Sequence, residues 1–241
     1  MKANQTLFYL REFFFPFGCS ICGKVLLDAK EAWYGLCHEC YGGIENDLAD
    51  NNALEKCNYC GKPLISERER CLSCRNGNAY AFDRADVLFP YTGKYQRLLA
   101  AYKFKKNIAL GNFFADKIIE IVTKNYTQPE AAIVPVPPKP GKIRKNGWDQ
   151  IDYIAGRLEK NPHVPHVSRC LRRLSSVSQK ELGRANRQTN LKGRIVTVKN
   201  VPRIAVVIDD VMTTGSTLDA CAAALKAGGA QAIYGLCLFY D

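Results

Sequence analysis

From residue 85 onward, two kinds of apolar patterning alternate along the chain. Short runs rich in β-branched residues at 85–90, 131–136, 164–171, 195–198, 204–208 and 230–239 predict strands. Longer stretches at 95–105, 110–124 and 216–227 carry apolar residues every three or four positions and predict helices. Trp148, Ile151, Ala155 and Leu158 mark one face of a further helix, and Gly228 and Gly229 close the 216–227 helix. Polar and basic residues without a period fill 172–191, which reads as a loop. This alternation predicts an α/β fold with a mostly parallel sheet and helices on its faces.

The first 85 residues follow a different rule. Of eleven cysteines, eight fall in CxxC pairs: Cys19/Cys22, Cys37/Cys40, Cys57/Cys60 and Cys71/Cys74. One tight turn brings two thiolates to a tetrahedral ion, and a second turn completes a four-thiolate site. Gly23 and Gly61 follow the first and third pairs, where the backbone must bend around a metal. Thioredoxin-type pairs need a surrounding βαβ unit, iron–sulfur runs are usually tighter, and disulfides need an oxidising compartment. Two structural Zn2+ ions are therefore expected. Sequential closure, with Cys19/Cys22/Cys37/Cys40 at one site and Cys57/Cys60/Cys71/Cys74 at the other, needs the shorter loops; interleaved pairing would use the same ligands. His38 lies inside an intact pair and is expected to be exposed. Cys170, Cys221 and Cys237 stand alone and read as core thiols.

The polar, Gly/Asn-rich segment 75–81 reads as a linker. It divides the chain into 1–85, an N-terminal helix with a double zinc ribbon, and 86–241, the α/β domain. Leu7, Phe8, Leu10, Phe13, Phe14, Phe15 and Phe17 predict a helix that packs on the ribbon or the larger domain, since a membrane-surface helix carries more cations than Arg11 alone.

Composition sharpens this picture in two ways. At 241 residues and 47% hydrophobic content, the chain has enough apolar material for a core. No apolar run reaches membrane-spanning length; the 7–17 stretch is broken by Arg11 and Glu12 and lacks a small-residue cleavage site. A cytoplasmic protein with reduced thiols is expected. The net charge of +11 is concentrated in residues 139–194, where fourteen Lys/Arg face four Asp/Glu. Such a surface calls for an anionic partner.

The chemistry is most legible at Val206-Val207-Ile208-Asp209-Asp210-Val211-Met212-Thr213-Thr214-Gly215-Ser216-Thr217. A buried strand ends in two carboxylates, and a hydroxyl- and glycine-rich turn then opens a helix. Helix N-terminal amides suit a phosphate, Gly215 permits close approach, and the hydroxyls add donors without bulk. Open α/β sheets bind ligands at this carboxyl end. The acids suit sugar hydroxyls or a hydrated Mg2+. Ser216 and Asp219 also fit a capping box. Neither a Walker A loop nor a GxGxxG fingerprint is present.

This loop resembles the ribose-5-phosphate signature of type I phosphoribosyltransferases, and the whole chain, with its cysteine ribbon, resembles the ComF family of competence proteins. Val134-Pro135-Val136-Pro137-Pro138 followed by Arg144-Lys145-Asn146-Gly147-Trp148-Asp149-Gln150 is similar to that family's pyrophosphate-loop block, "PVP … RGFNQ". Arg173, Gln179, Leu182, Arg187 and Asn190 are similar to its mobile-loop pattern. Three positions depart: Asn146 stands in place of Arg, Trp148 in place of Phe, and Asp149 in place of Asn. Thr213 stands where purine-salvage relatives often carry an acid, which argues against a simple 6-oxopurine acceptor. The resemblance implies a type I phosphoribosyltransferase-like sheet and Mg2+-dependent binding of 5-phosphoribosyl pyrophosphate. It assigns Asp209 and Asp210 to catalysis. It assigns Val211, Met212, Thr213, Thr214, Gly215, Ser216, Thr217, Pro137, Pro138, Lys139, Arg144, Lys145, Arg173, Gln179 and Arg187 to substrate. It further implies phosphoribosyl transfer linked to DNA uptake in natural transformation, with competence machinery and single-stranded DNA as partners. The alternative is a non-catalytic single-stranded DNA-handling protein on the same fold.

Overall fold

The computed structural model describes residues 18–76, 80–174 and 194–241. The apolar 7–17 stretch, Gln179, Arg187 and most of the 172–191 loop lie outside the described residues. The N-terminal region holds helices α1 (Ala29–Tyr34), α2 (His38–Ala53) and α3 (Leu72–Arg75). Then come strand β1 (Arg84–Pro90), helices α4 (Gly93–Lys103) and α5 (Ile108–Asn125), strand β2 (Ala131–Pro135), and helices α6 (Lys142–Asn146) and α7 (Gln150–Leu158). Short strands β3 (Leu171–Arg173) and β4 (Ile195–Thr197) precede β5 (Ile204–Met212), α8 (Ser216–Ala227) and β6 (Ala232–Tyr240).

Strands β1, β6, β5 and β2 form, in that order, one parallel sheet. Successive residues of a strand point to opposite faces, and both faces here are apolar. Ile133, Val206, Ile208, Leu236 and Leu238 pack with α4, α5 and α7 through Leu98, Tyr102, Phe113, Phe114, Ile151 and Ile154. Val87, Val134, Ala205, Val207, Ile233 and Cys237 pack with Cys221, Ala222 and Leu225 of α8 and with Leu171 and Ile195 of the β3–β4 ribbon. Parallel sheets need cover on both sides. The result is the α/β architecture expected from patterning, with two four-cysteine groups in the N-terminal region.

Three elements depart from expectation. Strand β5 runs four residues past Ile208, because Asp209, Val211 and Met212 remain paired with Cys237, Phe239 and Tyr240 of β6. Val211 and Met212 are thus strand residues rather than turn. The 164–171 run is not a strand: Ile133 and Val167 form a single bridge, and regular pairing starts only at Leu171, antiparallel to β4. Pro162 and Pro165 flank Val164, and a proline lacks the donor that a ladder needs. Finally, the cysteine region contains the sixteen-residue helix α2, whose apolar periodicity is weak, Ile44 being its buried residue.

The cysteine region is a structural duplication. Each half opens with a knuckle in which the first cysteine's N–H donates to a lysine carbonyl five residues on, Cys19 to Lys24 and Cys57 to Lys62, both 2.8 Å. Each knuckle turns on a glycine in the left-handed region, Gly23 at φ 76° and Gly61 at φ 72°. In each half the third cysteine then caps a helix, Cys37 before α2 and Cys71 before α3. The surroundings differ. A Cβ at Gly23 would meet open space, whereas one at Gly61 would lie 2.3 Å from the Ala85 carbonyl oxygen of β1. Gly23→Ala is expected to cost only the left-handed penalty, about 1–2 kcal/mol. Gly61→Ala adds a backbone clash of about 1–3 kcal/mol. Urea unfolding of the two metal-loaded variants checks this; equal losses would show that the second knuckle is not pressed on β1.

Candidate functional site

Both cysteine groups are built for a tetrahedral ion. Within Cys19/Cys22/Cys37/Cys40 and within Cys57/Cys60/Cys71/Cys74 the sulfur atoms all lie within 4.8 Å of one another, so the grouping is sequential. The Sγ–Sγ distances of 3.7 Å for Cys22–Cys37 and 3.6 Å for Cys60–Cys71 match the edge of about 3.8 Å that four Zn–S bonds of about 2.3 Å define. Burial pushes the Cys57 thiol up, but backbone amides of Cys60, Cys71 and Tyr59 outweigh it and hold the group down at about 7, favouring the thiolate that zinc requires. The buried Glu31 braces the first group, accepting from His38 N at 2.6 Å and from Leu27 N at 2.5 Å. His38 is exposed.

The 213–217 turn connects β5 to α8 at the carboxyl edge of the sheet. Gly215, at φ 73°, occupies the N-cap position, which carries no side-chain hydrogen bond. The capping box read from Ser216 and Asp219 does not form at this cap. Asp219 instead turns its Oδ1 to the Ala81 N–H, 2.6 Å away. Asp209, Val211, Met212, Thr213, Thr214, Gly215, Ser216 and Thr217 line a cavity of about 50 Å³, together with Leu218 and Cys237. Amides at a helix start and small hydroxyl side chains are the donors an oxyanion accepts.

The two acids are not equivalent. Strand alternation sends Asp209 toward the α8 side and Asp210 toward α4 and α7. Asp209 is buried, lines the loop cavity and accepts from the Asp210 N–H at 2.8 Å. Burial, with Asp210 adding repulsion, pushes its carboxyl up to about 8. Asp210 Oδ2 accepts from Lys103 Nζ at 2.7 Å and from the Gln150 amide. Gln150 in turn accepts from Lys142, whose Nζ also meets Asp149 Oδ2 at 2.6 Å. Asp149 is the N-cap of α7, its Oδ1 receiving the N–H groups of Ile151 and Asp152 at 2.9 and 3.0 Å. The unexpected acid of the 144–150 block is therefore bound up in a helix cap and a lysine pair.

A second cavity, about 550 Å³, lies beside the first edge. Pro137, Pro138, Lys139 and Arg144 line one wall, and Arg172 and Arg173 another. The Val136 N–H donates to Ile208 O at 3.0 Å, which keeps this loop beside β5 just before the acids. Arg173 also acts electrostatically on Asp209, so the cavity and the acid share one field. Among the described residues its Nε is buried without a hydrogen-bond partner. Lys145, on α6, is exposed and is not part of this lining. Trp148 sets its ring edge-on to Tyr102, 5.2 Å between centroids, and serves the core.

Sequence reasoning missed Lys103, Lys142 and Gln150 as site residues. Lys103 sits 107 positions before its partner acid in an ordinary amphipathic helix, so no local signal marks it. Gln150 did carry one, as the last residue of the pyrophosphate-loop block.

No protein-family model matches the chain. It is 26% identical over 230 residues to Competence protein F of Haemophilus influenzae, a similarity covering 91% of this chain and 95% of that protein. It is 25% identical over 184 residues to Competence protein ComFC of Bacillus subtilis, covering 73% of each.

The raised Asp209 carboxyl has a stability consequence. Unfolded, it titrates near 3.8, so between there and about 8 the folded protein retains a proton that the unfolded chain has released. Its contribution is complete below the lower value and is lost as pH rises to the upper one. Asp209→Asn is expected to unfold at higher urea concentration than the parent in ligand-free buffer. That advantage should grow between pH 5 and 8 by on the order of 1 kcal/mol per pH unit. A difference that does not vary with pH would contradict the assignment.

Proposed function

We infer that the chain is a ComF-family protein, since it is similar along 91% of its length to Competence protein F and carries two four-cysteine groups. From this we propose that it binds 5-phosphoribosyl pyrophosphate with Mg2+ and transfers the phosphoribosyl group to an acceptor. The observation that carries this reading is the adjacency of a phosphate-sized turn, a buried acid and a cation-lined cavity at one edge of a parallel sheet. The 213–217 turn receives the 5-phosphate, and Asp209 faces the ribose hydroxyls. Lys103 and Gln150 hold Asp210, setting the end of β5 beside the sugar. Pro137 and Pro138 shape the wall from which Lys139 and Arg144, with Arg173 opposite, meet the pyrophosphate. By the resemblance alone, Lys145 and Arg187 add positive charge and Gln179 an amide donor.

As the bond from the anomeric carbon to pyrophosphate breaks, its electron pair leaves with the pyrophosphate and positive charge develops on the ring. Fixed cations at the leaving group stabilise that separation because they need no reorganisation. Mg2+, bound with the substrate, supplies further neutralisation of the leaving group, and the hard carboxylate oxygens at the edge suit such an ion. The division into a metal module, 1–85, and a phosphoribosyltransferase-like unit, 86–241, belongs to this proposal. So does a cytoplasmic role in DNA uptake alongside competence machinery; among the described residues no helix is long and apolar enough to cross a membrane.

A second reading, non-catalytic handling of single-stranded DNA, is favoured by one observation. Four cations of the basic 139–194 stretch, Lys139, Arg144, Arg172 and Arg173, converge on one open cavity, as a sugar-phosphate backbone requires. Base stacking gets no help from Trp148, which is packed against Tyr102.

Calorimetric titration of zinc-loaded protein separates the two. Phosphoribosyl pyrophosphate is expected to bind only with Mg2+, and Asp209→Asn should weaken it by about tenfold or more while leaving single-stranded DNA affinity intact. Absence of binding at millimolar ligand, with salt-sensitive DNA binding retained, would sink the enzymatic reading in favour of the second.

A further inference from the structure

The two halves of the cysteine duplication touch different parts of the molecule. The first group lies against the α4–α5 junction: Asn107 Nδ2 donates to Ser20 Oγ at 2.9 Å, and Asn112 Nδ2 to Trp33 O at 3.0 Å. The second group reaches the phosphate turn at two places and the helix that follows it at a third. Lys62, two residues beyond Cys60, extends its Nζ to Thr213 O at 3.4 Å and to Asp241 O. Tyr59, inside the Cys57/Cys60 knuckle, donates to Tyr80 O at 2.8 Å and stacks on the Tyr80 ring at 5.6 Å. Tyr80 then donates to Thr214 O at 3.0 Å, and its ring lies 3.2 Å from where a Cβ on Gly215 would sit. The third link follows in sequence, from Ala81 N–H to Asp219 Oδ1 in the first turn of α8. The knuckle is itself pinned to β1 by Ala85 N–H donating to Tyr59 O at 2.8 Å.

We propose that Lys62 and Tyr80 are positioning residues that make the second four-cysteine group a metal-dependent strut for the phosphate turn. Metal retention at Cys57/Cys60/Cys71/Cys74 and phosphate-ester binding at 213–217 then reinforce one another. The physical ground is that a short knuckle with a four-residue helix brings few apolar side chains of its own, chiefly Leu64 and Tyr59, so an ion would supply much of the energy that folds it. When the ion is lost, Tyr59 and Lys62 lose their fixed positions, and the carbonyls of Thr213 and Thr214 lose the donors that orient the turn. Thermodynamic reciprocity requires the converse: a phosphate ester seated in the turn holds the knuckle, and with it the ion, in place. The first group has no such link among the described residues and is an internal control. This coupling rests on the turn being a phosphate site, as proposed above.

The test uses the zinc-loaded full chain in a chelator. Cysteines freed by metal loss are trapped with iodoacetamide and located by peptide mass spectrometry. Saturating ribose 5-phosphate is expected to slow trapping of Cys57, Cys60, Cys71 and Cys74 by about five- to tenfold, with no change at Cys19, Cys22, Cys37 and Cys40. In the Lys62→Met/Tyr80→Phe double variant that protection should disappear. Equal slowing at both groups, or none while calorimetry shows the ester bound, overturns the proposal. A ligand-free measurement decides the case in which no ester binds and the phosphate reading itself fails. Hydrogen exchange across 213–225 should accelerate in Cys71→Ser and in the double variant while β2 keeps its protection; unchanged exchange in the folded double variant overturns the strut.

Discussion

The structure at this edge depends on a single constraint: β5 stays in register with β6 beyond its apolar run, carrying two consecutive carboxylates into the rim of the core. Had the strand ended at Ile208, both acids would be free to face solvent. Held in the strand, they must point to opposite faces, and each meets a different environment. Asp209 enters the α8 side, among Cys221 and Cys237, and is desolvated to the point of holding its proton. Asp210 enters the α4 side and is answered by Lys103 and Gln150. Burying one uncompensated acid beside one compensated acid is costly for folding, and such asymmetry is characteristic of sites that handle ligands.

The rest of the rim is arranged around that strand. The loop after β2 is tied to it by the Val136–Ile208 hydrogen bond, so Pro137, Pro138 and Lys139 arrive beside the acids without needing a long approach. Arg172 and Arg173 arrive from the opposite wall on the three-residue strand β3. Four cations of the basic 139–194 stretch, Lys139, Arg144, Arg172 and Arg173, are thereby gathered at one cavity, whose positive field favours an anion.

The cysteine region takes part in this arrangement. Its two halves share the same knuckle, yet among the described residues only the second is pressed on β1 and reaches the 213–217 turn. A four-thiolate site is rigid in a way that a small apolar cluster is not, because metal–ligand bonds fix angles as well as distances. Placing that rigidity behind Thr213 and Thr214 supports a turn whose helix cap carries no side-chain hydrogen bond of its own. Duplication followed by unequal docking gives one half a scaffold role against α4 and α5, and the other a place beside the chemistry.

Local chemistry was enough to read the cysteine ligands, the α/β alternation and the strand–turn–helix at 204–227 from the chain alone. Each depends on neighbours within a few residues: thiol spacing, the period of apolar positions, glycine in a tight turn. What the chain could not show was anything set by partners far away. The extra length of β5 depends on β6, and the pairing of Asp210 on a lysine 107 positions earlier. Helix α2 was hidden because tertiary contacts rather than a strong apolar period hold it. Sequence therefore determined which groups are present and what each can bind. Only folding decided which face each acid meets and which metal group stands behind the turn, since strand pairing and burial are summed over residues distant along the chain.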